Sequence, residues 1–193
     1  MFPGRTRSIE VDFESVFGLL LRNFEKEKIR YALIGGLAMH AAGYVRSTAD
    51  MDFLVLKEDM PKVKKMMLGY GYEAFHESED VSTFVSPLKP MGRVDFLHAH
   101  RKYALAMLQN AKEQRVLEGK VPLKVVKAED MIGLKVQSSS NDPSRHNQDM
   151  ADIEEMIKVN KGKLNVELLK EYFSLFGREN ELSEILKRAD DVK

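Results

Sequence analysis

Apolar side chains recur at Val16, Phe17, Leu20, Leu21 and Phe24 within the stretch 11–28. That is the spacing of one face of an amphipathic helix, with charges on the other. Residues 30–34 form a short apolar run that stops at Gly35-Gly36, which predicts a buried strand ended by a turn. A short helix over 37–42, closed by Gly43, comes next. Residues 51–56 predict a second apolar strand. Residues 61–68 predict a helix with Pro61 in its first turn and Gly69 near its end. Further strands are expected over 72–76, 81–85, 93–98 and 121–126.

Past Ala128 the pattern becomes helical throughout. Helices are expected over 129–136, 147–159, 166–176 and 179–189, with the polar stretch 138–144 as a loop between the first two. No internal repeat is visible. The fold class this predicts is α/β (α+β), a mixed β-sheet flanked by helices with a helical C-terminal part. A boundary near residue 127 divides a core of 1–127 from a helical region of 128–193 packed on it, within one domain or two.

Composition narrows the function classes. The 193 residues carry 30 basic and 30 acidic side chains. The basic excess of a general nucleic-acid binder is therefore missing, although a local basic groove is compatible with a neutral total. Cysteine is absent, which excludes disulfides, thiolate metal sites and a cysteine nucleophile. The N-terminus has no apolar h-region and no run is long enough to cross a bilayer, so a cytoplasmic protein without membrane partners is expected. The arm 2–9 either orders in an oligomer or stays loose.

Chemistry concentrates in 33–56. Two adjacent glycines, Gly35 and Gly36, let the backbone turn and approach a ligand closely, and the helix that follows points its N–H groups at whatever lies there, an arrangement suited to phosphate. Asp50 and Asp52 are two apart on a strand and share a face, with Met51 and Phe53 turned into apolar packing. Two neighbouring carboxylates repel unless a cation lies between them, and Mg²⁺ suits such an oxygen pair completed by substrate phosphates. Arg46 either pairs with Asp50 or contacts a phosphate, and Thr48 caps or hydrogen-bonds nearby.

An apolar residue, Gly-Gly, a short helix, then Arg46-x-Thr48-x-Asp50-x-Asp52 leading into an apolar strand resembles the nucleotidyltransferase superfamily, closest to the AbiEii-like and minimal branch, many of whose members are toxin–antitoxin components. The resemblance covers roughly residues 30–157. It implies a nucleotidyltransferase fold, a glycine turn that holds the triphosphate, and paired acids that hold Mg²⁺ (or Mn²⁺). It further implies a third carboxylate on a later strand, for which Asp95 is the candidate, as general base or third metal ligand; the plainer reading is an Asp95 paired with Arg93 or Lys89. Lys135, Arg145, Asp149 and Asp152 match a later family motif, with Gln148 where the family has lysine. Lys135 then contacts phosphate with Asp149 orienting it; alternatively Lys135 is a surface charge and Asp149 a partner of the helix dipole.

The implied reaction is transfer of a nucleoside monophosphate from an NTP to an RNA, protein or small-molecule acceptor, with a cognate antitoxin as a possible partner. The alternative is a catalytically inactive nucleotide- or partner-binding module. His98 and His100 read as strand-end polar residues rather than a zinc pair, and His40 as a satisfied helix histidine.

Overall fold

The computed structural model describes residues 11–191; the arm 2–9 lies outside them. Helix α1 (Phe13–Lys26) is capped by Asp12, whose carboxylate accepts from the Ser15 N–H at 3.1 Å, and it buries Val16, Phe17, Leu20 and Phe24. Strand β1 (Tyr31–Ile34) leads into α2 (Gly35–Ala41), β2 (Asp50–Leu56) and α3 (Met60–Gly69). Three strands follow, β3 (Glu73–Glu77), β4 (Val81–Val85) and β5 (Arg93–Ala99), then α4 (Lys102–Asn110), β6 (Lys112–Val116) and β7 (Val121–Val125). The chain ends in α5 (Ala128–Asn141), α6 (His146–Val159), α7 (Val166–Ser174) and α8 (Glu179–Asp191).

The seven strands make one mixed sheet in the order β3-β4-β5-β2-β1-β7-β6. β2 runs parallel to β5, and β1 parallel to β7; the other neighbours are antiparallel. The β2–β5 register pairs Asp52 with Asp95 and Phe53 with Phe96. Because side chains alternate along a strand, this register sends the two phenylalanines to one face and the two aspartates to the other. On the first face Phe53 meets Phe17, Phe24 and Phe96 with ring centroids 5.5 to 5.8 Å apart, so α1 is anchored to the sheet beneath the acids. One continuous apolar core joins these strands to Ile132, Ile153, Phe173 and Ile185 of the C-terminal helices.

Three elements depart from the sequence pattern. Helix α4 and edge strand β6 lie in a stretch without an assigned element; α4 fully buries only Met107, and β6 pairs with β7 alone and buries only Val116. The polar stretch expected as a loop is still helix as far as Asn141. Ser139 and Ser140 fold their hydroxyls back onto the Val136 carbonyl (3.1 and 2.7 Å), and Arg178 spans the same turn. Among the described residues, no helix is long and apolar enough to cross a membrane.

Candidate active site

A cleft of about 570 Å³ opens over the acidic face of β2 and β5, roofed by α4, α5 and α7. Its floor begins where β1 turns into α2. Gly35 sits at φ +69°, and a Cβ there would overlap the Asp52 carboxylate and lie 2.7 Å from the Asp52 Cβ. A Cβ on Gly36 would lie 2.7 Å from the Thr48 Cβ. Gly35 is therefore required by the turn and by the packing of Asp52, and Gly36 by the packing of Thr48. Thr48 acts as a buttress: its hydroxyl lies 3.4 Å from the Asp50 carbonyl, and it does not line the cleft.

Asp52 and Asp95 stand side by side on adjacent parallel strands, about 5 Å apart at the backbone. Asp50 is partly exposed at the first position of β2, opposite Arg93 and outside the cleft lining. Burial, and then the charges of Asp95 and Asp50, push the Asp52 carboxyl up to about 6, with Lys135 and Arg93 pulling the other way. Asp95 accepts a 2.5 Å hydrogen bond from the Thr83 hydroxyl and pairs with Arg93 at 2.8 Å. Asp95 thus faces the cleft and is held by Arg93.

Among the described residues, no group of three or more histidine or acidic side chains is gathered closely enough to hold a metal ion. The chemistry of the donor set nevertheless fits Mg²⁺. It is all oxygen, and it contains a carboxylate, Asp52, whose charge is opposed by its neighbours and which a divalent cation would relieve.

Opposite the acids, α5 and α6 bring a second constellation together. The Lys135 ammonium lies 2.6 Å from Asp149 Oδ1 and 2.7 Å from Asp152 Oδ2, both acids being fully buried. Burial would raise Asp149, but hydrogen bonds from Lys135 and Ser138 and the charges of Lys135 and Arg145 outweigh it, leaving its carboxyl below the ordinary range. Tyr44 and Gln148 donate to Asp152 Oδ1 at 3.3 and 3.1 Å. Gln148, at the position where the resemblance expected a lysine, is therefore part of the support under Lys135, a role the sequence did not reveal.

The outer pairs are looser. Arg145 approaches Asp149 Oδ2 at 3.4 Å and Arg46 approaches Asp152 Oδ2 at 3.8 Å, and Arg46 Nε and Asp149 Oδ2 are buried without a hydrogen bond. Three cations face two carboxylates, leaving one positive charge in excess toward the cleft. The loop that carries Arg46 is held by the His40 ring, whose Nε2 lies 2.5 Å from the Arg46 carbonyl and 3.1 Å from its N–H and bonds one or the other according to the tautomer. His98 is likewise occupied, by Ser82 and the Glu79 carbonyl, and His100 by Asp80.

The cleft wall is set by α7. Tyr172 donates to Asp130 at 2.6 Å, and its ring lies so close to α5 that a Cβ on Gly133 would come within 2.7 Å of it. Tyr172, Tyr103 and Phe176, none of which the sequence motifs indicated, line the same cleft.

A mixed sheet with acids on adjacent strand starts, a glycine turn against one of them and a buried lysine opposite is a nucleotidyltransferase architecture. The chain belongs to the family described as nucleotidyl transferase of unknown function (DUF2204), whose model matches residues 15–190. In fold it is similar to the crystal structure of ANT(2'')-Ia in complex with adenylyl-2''-tobramycin (TM-score 0.66, 12% identity, 84% of this chain and 98% of that one). It is also similar to the lincosamide antibiotic adenylyltransferase LnuA bound to lincomycin (0.52, 16%, 78% and 99%). A third likeness is to an antigenic nucleotidyltransferase-like protein from Paracoccidioides brasiliensis (0.52, 17%, 90% and 91%). No curated protein sequence matches the chain.

Proposed function

We propose that this nucleotidyl transferase moves a nucleoside monophosphate from a Mg²⁺-bound NTP to a hydroxyl or amine of an acceptor, with release of pyrophosphate. The observation that carries the reading is the in-register pair Asp52–Asp95, with Gly35 cut away to fit Asp52 and Lys135 across the cleft. Asp50 and Asp52 would hold the metal, with Asp95 as third ligand or as base. A Mg²⁺ held there would supply charge neutralisation for the phosphates.

The chain's own residues do the rest. Gly35 and Gly36 admit the phosphates to the backbone, and Lys135, Arg46 and Arg145 provide the excess positive charge for them. Asp149 and Asp152 fix the ammonium of Lys135 so that no reorganisation is needed when charge develops. Asp95, held in place by Thr83 and Arg93, would receive the acceptor proton where it serves as base. Incubation with each of the four α-labelled NTPs, Mg²⁺ and a cell extract, against an Asp52→Asn control, tests this. Label in one fraction and absent from the control supports transfer and names the acceptor class.

Two relatives in fold are adenylyltransferases named for antibiotics, which supports a small-molecule acceptor. A toxin that modifies RNA or protein, paired with an antitoxin, is the second form of the same reading. It rests on the AbiEii-like motif order, and induced expression tests it through growth arrest. The Arg93–Asp95 ion pair favours a different second reading, an inactive nucleotide-binding module. Such a module would gain thermal stability from Mg²⁺–NTP yet release no pyrophosphate.

A further inference from the structure

The cleft continues well past the carboxylates. From Asp95 the same face of β5 presents Leu97, with Val81 of β4 in register beside it. The four residue steps from Asp95 to Ala99 run along the floor for about 13 Å. Over this floor stand Tyr103 and Met107 of α4 and, just past α7, Phe176. The far end is polar: Asp80 is shared between His100 Nε2 at 2.6 Å and Arg101 Nη2 at 3.2 Å. None of these residues belongs to the nucleotide motifs.

Charge pairing sharpens what this half can accept. The only acids lining the cleft among the described residues are Asp52, Asp80 and Asp95. Asp95 is paired with Arg93 and Asp80 with His100 and Arg101, and Asp52 is the acid assigned to the metal in the proposed reaction. No free carboxylate is left to bind an ammonium group along the apolar stretch, and burying an unpaired ammonium there is costly. A polynucleotide is also disfavoured: the formal net charge is zero, and this half offers Arg101 as its cation beyond Arg93, itself already paired, whereas polynucleotide affinity comes from many phosphate contacts.

We infer that the half of the cleft between Asp95 and the Asp80–His100–Arg101 cluster is the acceptor subsite, and that it takes an uncharged, hydroxyl-bearing small molecule with an apolar or aromatic body. The inference rests on the transferase reading, since it places the reacting hydroxyl at Asp95. The body lies on Leu97 and Val81 under Tyr103 and Phe176, and polar groups at the other end meet the Asp80 cluster.

The test is calorimetric titration of the full chain, with Mg²⁺ and α,β-methylene-ATP present. The probes are phenyl β-D-glucopyranoside, n-octyl β-D-glucopyranoside below its micellar concentration, spermine, and a five-residue oligoadenylate. The expected result is saturable binding of the glycosides and of neither charged probe. Leu97→Asp, and independently Tyr103→Ala, should weaken the glycosides at least about tenfold with the nucleotide analogue within about twofold. Spermine or oligoadenylate binding in place of the glycosides overturns the inference in favour of a polycation or an RNA. Glycoside binding that ignores both variants, or no glycoside binding at all, overturns it as well. Failure of the transferase reading is separate: it shows as absence of binding by the nucleotide analogue.

Discussion

Gly35→Ala separates the chemistry of the glycine turn from its backbone geometry. At φ +69° an alanine sits in the left-handed region, which costs roughly 1–2 kcal/mol. For a chain of this size that lowers the melting temperature by about 2–8 °C. The second effect is steric and local: the new Cβ overlaps the Asp52 carboxylate and lies 2.7 Å from the Asp52 Cβ. Asp52 has to move by something like an ångström. A misplacement of that size costs about 100-fold in rate when the displaced group positions the reaction. Gly71→Ala is the matched control, because Gly71 has φ +78° and a methyl group added there would meet nothing within 4 Å. It should show the same loss of stability and unchanged activity. Thermal melts and pyrophosphate release on the two variants read both quantities. If Gly35→Ala keeps activity within about twofold of the parent, or if Gly71→Ala loses as much, the turn does not serve Asp52 and the reasoning fails.

Other consequences can be measured directly. Asp52 titrates at about 6 in the folded chain against an ordinary 3.8, so between these values the native state holds a proton that the unfolded state has released. Metal-free stability should therefore fall as pH rises from about 4 to 6, by up to about 3 kcal/mol; urea melts across that range should show the slope, and Asp52→Asn should flatten it. Stabilisation by Mg²⁺ should grow over the same interval, and a pH-independent Mg²⁺ effect would count against Asp52 as its ligand. Lys135→Met leaves Asp149 and Asp152 buried without their shared cation and should cost about 3–5 kcal/mol, whereas adding Asp149→Asn and Asp152→Asn should recover part of that in the same melts. Residues 1–127 alone should give no cooperative thermal transition by circular dichroism, because Ile132, Ile153 and Phe173 complete the shared core.

What the sequence disclosed, and what it hid, divides along physical lines. The acids of β2 were legible because a strand start imposes a period of two: Met51 and Phe53 had to go inward, so Asp50 and Asp52 went outward together. Asp95 was picked out by the resemblance to nucleotidyltransferases, and alternation along its strand then gave its face. Its partnership with Thr83 was not legible, because a cross-strand neighbour depends on the β4–β5 register, which no local pattern carries. Strand β6 escaped because it is an edge strand with little to bury, so alternation, the signal by which strands are read, was never written into it. Helix α5 outran its predicted end because serines that favour turns when free can satisfy a helix when their hydroxyls bond back to it and Arg178, just ahead of α8, reaches across to them. The acceptor half of the cleft had no motif at all. Tyr103, Phe176 and Leu97 come from three separate stretches of chain, and each alone is indistinguishable from core. On the proposed reading, the glycine turn and the acids of β2 are local and follow a pattern, while the surface proposed for the acceptor is assembled by the fold. The choice of acceptor should therefore respond to substitutions in α4 and at the end of α7 that leave the glycine turn and the acids untouched.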